Sequence, residues 1–172
     1  HLAAVGYELY CQLLEEAVRE LRGEKAQPRV ETTVRLNLDA YIPDEYIGDH
    51  DHKIGIYRRL SSMSKLEEIE ELSLELRDRF GEIPMPTRNL LEAMAIRIMA
   101  SEIGVERVTV SDGELEVRFA RGFEPSRESV EKAVRRSKVS LQFCMGEKFS
   151  LKLRPGRRDK LEILRKLLQN LT

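Results

Sequence analysis

The chain is 172 residues long, 41% hydrophobic and 34% charged, with a net charge of −1. That length suits one domain, or two small ones sharing a surface, and it is enough to bury a proper core. No apolar run approaches the roughly 20 residues of a membrane span and no signal-peptide layout opens the chain, so a cytoplasmic address is expected.

Cys11 and Cys144 are too few and too far apart for a disulfide framework or a zinc site, and they read as small buried residues. The small net charge hides an asymmetry. Residues 1–104 carry 13 Lys/Arg against 20 Asp/Glu, a net −7, whereas residues 105–172 carry 16 against 10, a net +6. Either the two halves attract one another or each faces a partner of opposite charge.

From Val5, the residues Leu9, Leu13, Leu14, Ala17, Val18 and Leu21 recur at helical spacing up to Gly23, which predicts a first helix. After the polar linker GEKAQPR, the stretch VETTVRLNLDA alternates, with Val30, Thr32, Val34, Leu36 and Leu38 on one face of a half-buried strand. In LDAYIPDEYI, Tyr41, Ile42, Tyr46 and Ile47 cluster around a proline at the strand exit. They either cover the edge of the core or form a docking site. DHDHKIGIYRRL begins a helix near Asp49 with Ile54, Tyr57 and Leu60 inward. Its Asp49-His50-Asp51-His52 run offers two imidazoles and two carboxylates. Residues at i and i+2 of a helix do not face one another, and Asp at a helix start is expected for capping alone, so no metal is assigned.

The next helix carries EEIEELSLELRDRFGE. Ser64 and Glu67 match a capping box, Leu66, Ile69, Leu72, Leu76 and Phe80 form the inward stripe, and Gly81 is the stop. At roughly 100° per residue, Glu68, Glu71, Glu75, Asp78 and Glu82 fall in one arc of about 80° that runs toward the C-terminal end. The helix dipole disfavours carboxylates there, and like charges at i,i+3 and i,i+4 each cost roughly 0.2–0.5 kcal/mol. Glu75 can pair with Arg79; the stripe as a whole asks for a reason outside the fold. Pro84 and Pro86 then turn the chain into a helix from about Thr87 through Leu91, Met94, Ile98 and Ile103 to Gly104.

Beyond Gly104 the period becomes two. VERVTV and ELEVRFA flank the turn Ser111-Asp112-Gly113, and Ser126 caps a short helix through Val130 and Val134. VSLQF and KFSLKL flank Met145-Gly146-Glu147, and after Pro155-Gly156, Asp159 and Glu162 cap a last helix through Leu161, Leu164, Leu167, Leu168 and Leu171. The fold class is α+β: a helical N-terminal half with one strand, then a ββαββα half whose small antiparallel sheet is covered by helices. Phe119, Phe143 and Phe149 fall on the apolar phase and are assigned to the core.

No Walker loop, dinucleotide turn, nucleophile elbow or HExxH occurs, so no catalytic, cofactor or metal residue is assigned. Arg135, Arg136, Lys138, Lys152, Arg154, Arg157, Arg158 and Lys160 make nucleic-acid binding by the basic half the alternative reading, although stacking aromatics are scarce.

Three segments, HLAAVGYELYCQLLEEAV, LDAYIPDEYI followed by IYRRLSSM, and LELRDRFGEIP, resemble the C-terminal region of bacterial transcription-repair coupling factors, in matching order and spacing. The resemblance covers most of residues 1–104. It implies a helix at 1–23 that leaves the translocase module, with His1 a cut end, and a C-terminal domain over 24–172, helical over 24–104 and ββαββα over 105–172. It implies a parent whose motor, with ATP and Mg, translocates on double-stranded DNA, removes stalled RNA polymerase and recruits UvrA. The domain itself is then a non-catalytic, autoinhibitory clamp on a UvrB-like module, masking the surface where UvrA docks. Glu68, Glu71, Glu75 and Asp78 are the expected interdomain contacts, with Tyr41, Tyr46, Arg154, Arg157 and Arg158 as secondary candidates.

Overall fold

Helical periodicity before Gly104 and strand alternation after it both persist in the computed structural model, which describes residues 30–137, 140–156 and 159–171. The helix expected over 1–23 and Cys11 lie outside the described residues, as do Lys138, Arg157 and Arg158. Among the described residues the elements run β1 (Thr33–Leu36), α1 (His50–Ser62), α2 (Leu66–Phe80), α3 (Met85–Glu102), β2 (Val105–Val110) and β3 (Leu115–Phe119). They continue with α4 (Arg127–Ser137), β4 (Leu141–Met145), β5 (Phe149–Leu153) and α5 (Lys160–Leu171).

The sheet has five strands in the order β1-β2-β3-β5-β4. Its four later strands are antiparallel, as alternation and the two hairpin turns predict. The strand assigned to the helical half does not stay there. β1 lies parallel to β2, with Thr33 opposite Arg107 and Leu36 opposite Val110, so both halves share one sheet. The physical reason is the edge of β2, which would otherwise be unpaired, and α1 to α3 supply the long crossover that parallel pairing requires. Thr32 Oγ1 donates to the Val105 carbonyl at 2.6 Å and the Asn37 amide to the Val110 carbonyl at 2.9 Å, fixing both ends of β1. A bulge between Val105 and Arg107 lets Val105 and Val108 both point inward.

One face of the sheet, with Val108, Val117, Phe119 and Leu151 buried, packs under α3 and α5. A second core lies between α1, α2 and α3, around Ile56, Leu60, Leu72 and Leu76. Helix α3 belongs to both: Ile96, Met99 and Ala100 face the sheet, while Leu91 and Ile98 face α1 and α2. Apolar residues on two faces of one helix are what such sandwiching demands.

Several local expectations change. Helix α1 buries Ile56 and Leu60, whereas Ile54 is half-buried and Tyr57 is 37% exposed; the Tyr57 hydroxyl instead accepts from the Ile42 amide at 2.9 Å. Helix α3 starts at Met85, with Pro86 inside its first turn, two residues before the expected Thr87. Phe143 is 52% exposed rather than core, because β4 is an edge strand that the helices do not reach, although its ring continues a chain from buried Phe119 through Phe149. Cys144 is half-buried and unpaired. Gly104 has φ +77°, and a Cβ there would lie 2.3 Å from the Phe123 ring, so glycine is required twice over.

Candidate interaction surface

Helix α2 begins at Leu66 because Glu68, not the Ser64/Glu67 pair, completes its cap. The Glu68 carboxylate accepts from the Ser64 amide at 2.8 Å and the Lys65 amide at 2.9 Å, satisfying two N–H groups beside the first turn. Those two donors hold its pKa below the usual carboxylate range. The helix ends at Gly81, φ +83°, whose amide bonds the Arg77 carbonyl at 3.0 Å. Ile69, Leu72 and Leu76 point into the helical core, while Leu66 and Phe80 are half-buried at the ends.

The outward carboxylates divide into two groups. Glu75 is held from both sides, accepting from Arg59 of α1 at 2.8 Å and from Arg79 at 3.0 Å; Arg59 first and then Arg79 lower its pKa against the opposing effect of burial. Arg79 also stacks over the Phe80 ring at 5.2 Å. Glu82 pairs with Arg88 at 2.6 Å. Glu71 and Asp78 are exposed and have no hydrogen-bond or ion-pair partner among the described residues. Glu68, Glu75 and Glu82 therefore have a place in the fold, a correction to the expectation that the stripe as a whole asks for a reason outside it.

Of the tyrosines, Tyr46 is spoken for. Its hydroxyl lies 3.0 Å from the Leu76 carbonyl and 3.1 Å from the Gly81 carbonyl, closing the C-terminal end of α2, and its ring meets Phe80 edge-on at 5.9 Å. Burial raises its pKa. Tyr41 is tied through its backbone, to the Pro86 carbonyl and the Thr87 hydroxyl, which leaves the side chain 48% exposed. Ile42 and Ile47 beside them are core residues.

The described basic candidates fall into two groups, Arg135 and Arg136 on α4 and Lys152, Arg154 and Lys160 near the turn between β2 and β3. Arg135 and Arg136 end α4, with Arg136 donating to Asn170; Lys152 pairs with Glu114 across the sheet; Lys160 donates to the Ser111 carbonyl; and Arg154 is exposed where β5 ends. In the DHDH segment, Asp49 caps α1 by accepting from the His52 amide at 2.7 Å. Sequence reasoning missed Arg97. Its guanidinium reaches from α3 to the Leu60, Ser61 and Met63 carbonyls at 3.1–3.3 Å and caps the C-terminal end of α1. The signal was a lone arginine in the apolar run MAIRIMA.

On the flank of α2 away from the acids, a groove of about 850 Å³ opens between α2, α3 and α5, with Leu74 and Met85 exposed at its lips. Among the described residues no group of His, Cys, Asp and Glu is placed to hold a metal, and no helix is long and apolar enough to cross a membrane.

The TRCF domain model matches residues 36–130, more than half of the chain. Over 121 residues the chain is 42% identical to the transcription-repair-coupling factor of Staphylococcus haemolyticus, a match covering 68% of this chain and 10% of that protein. Over 119 residues it is 35% identical to that of Myxococcus xanthus, covering 65% and 10%. The chain thus spans about one-tenth of the length of these curated relatives. A crystal structure described as the C-terminal domain of transcription-repair coupling factor superposes with a TM-score of 0.74 at 28% identity, covering 82% of this chain and 91% of that one. Sequence and fold agree, and the chain belongs to the transcription-repair coupling factor family, in which it corresponds to the C-terminal domain.

Proposed function

We propose that this domain is a non-catalytic regulatory clamp that packs, through α2, against the UvrB-like module of a longer parent and covers the surface on which UvrA docks. The parent is then an ATP-driven double-stranded-DNA translocase that removes stalled RNA polymerase and hands the site to excision repair. The observation that carries the reading is the pair Glu71 and Asp78, exposed and without partners among the described residues, beside a Glu75 whose carboxylate is already oriented by Arg59 and Arg79. Exposed charges suit a contact that must form and release, because they set specificity and association rate without locking the complex.

Glu75 is the weaker residue for a test, since reversing it breaks two internal ion pairs. The double reversal E71K/D78K in the full-length parent should increase UvrA binding, with the thermal melt of the isolated 172-residue chain unchanged. Unaltered UvrA binding by that parent would remove the stripe from the interface.

A further inference from the structure

The described helices pack on one face of the sheet, and among the described residues the other face is uncovered and almost wholly polar. Cross-strand register determines what sits there. On this face Arg35 is opposite Thr109, Thr33 is opposite Arg107, and Arg107 is directly opposite Arg118. Directly opposed residues stand about 5 Å apart and diagonal ones about 7–8 Å, so Arg107 faces Arg118 across one strand pair and lies diagonal to Arg35 across the other. Like charges directly opposed, as Arg107 and Arg118 are, destabilise a sheet.

The carboxylates of this face neutralise Arg118 but not Arg107 or Arg35. Glu116 pairs with Arg118 at 3.2 Å, Glu114 with Lys152 at 3.1 Å and Glu106 with Lys148 at 2.5 Å. These three acids are each matched by a base, exposed Glu31 two residues before Thr33 is not, and the basic excess is Arg35 and Arg107, neither of whose side chains has a hydrogen-bond or ion-pair partner among the described residues. The hydroxyl residues Thr33 and Thr109 alternate with them.

The geometry points to a phosphate-binding face on β1, β2 and β3, fitting the backbone of duplex DNA, with Arg35 and Arg107 as the principal contacts and Arg118, Thr33 and Thr109 flanking them. Arginine forks and hydroxyls are the groups that hold phosphate oxygens. The described residues of this face include no aromatic ring on which an unpaired base would stack, which favours a duplex over a single strand. These residues are distinct from the basic run at the C-terminal end, and their role is independent of the one proposed for α2.

The test is a titration of the 172-residue chain with a short labelled duplex DNA between about 50 and 200 mM salt. R35Q/R107Q should weaken binding at least about tenfold at the lower salt and reduce the slope of log K against log salt by about 1.8, at roughly 0.9 for each phosphate no longer neutralised. R35K/R107K should stay within a few-fold of the unaltered chain, and K132Q/R135Q, which removes equal charge from α4, should leave the slope nearly intact. If R35Q/R107Q does not fold, Arg35→Gln alone, at an exposed position, should give half the slope change. Absence of binding by the unaltered chain, or equal weakening in the α4 control, overturns the proposal. Displacement of the duplex by polyglutamate at matched charge would also overturn it and make the face a docking site for acidic protein.

Discussion

The acidic face of α2 and the open face of the sheet look alike when charges are counted and differ once partners are assigned. On α2 the fold uses three of the stripe's five carboxylates internally: Glu68 closes the helix start, Glu75 ties α1 to α2 and Glu82 pairs with Arg88, so Glu71 and Asp78 remain. On the sheet the fold uses the lysines and Arg118, so Arg35 and Arg107 remain. A charge with an internal partner contributes to stability; a charge without one is either plain solvation or an unmet contact. Side chains that hold the domain together are thereby told apart from those available to something else.

Substitutions can break that separation. The largest effect is expected at Arg97, a basic residue used wholly within the fold: Arg97→Met should cost about 2 kcal/mol in urea unfolding, since hydrogen bonds from a charged donor to three carbonyls disappear. Glu68→Ala should come next, at about 1 kcal/mol near pH 7, the scale of a missing helix cap. Because the folded carboxyl has a depressed pKa, its contribution is present above its unfolded pKa of about 4.3 and is lost as pH falls through the lower folded value. The gap between Glu68→Ala and the unaltered chain should therefore close in unfolding curves measured at progressively lower pH.

Glu75→Gln should cost about 0.5 kcal/mol, largely abolished by high salt, as expected of half-exposed ion pairs. Smallest of all, E71Q/D78N should lie within about 0.5 kcal/mol of the unaltered chain and on the stabilising side, because like-charge repulsion along α2 is relieved. A clear destabilisation by that last variant would mean that the free carboxylates are not free.

Local patterns were legible in the sequence because they depend on local geometry. The inward stripe of α2, the Asp49 and Ser126 caps, the two hairpin turns and the ββαββα order all follow from periodicity and turn chemistry. What escaped depends on distant partners. Nothing local tells β1 that its neighbour is β2 across the intervening helices, and alternation assigns Phe143 a face without saying that β4 lies at the sheet edge. The cap of α2 was misassigned by one residue because Ser64/Glu67 and Lys65/Glu68 overlap in spacing. Within the candidate site, the acidic arc was readable, but its division into used and unused carboxylates required Arg59, sixteen residues away. The structural role of Tyr46 likewise depends on carbonyls thirty or more residues on.

Helix α3, shared by both cores, sets how the domain opens on long timescales. Its amides near Ile96 and Ile98 sit beneath α1 and α2 on one side and the sheet on the other, so no partial opening of either layer alone exposes them. Hydrogen exchange there should proceed only through global unfolding, with β4 and the start of α4 exchanging far sooner. Helix α2, which carries the acidic face, packs on that slow-exchanging helix and opens with its own layer.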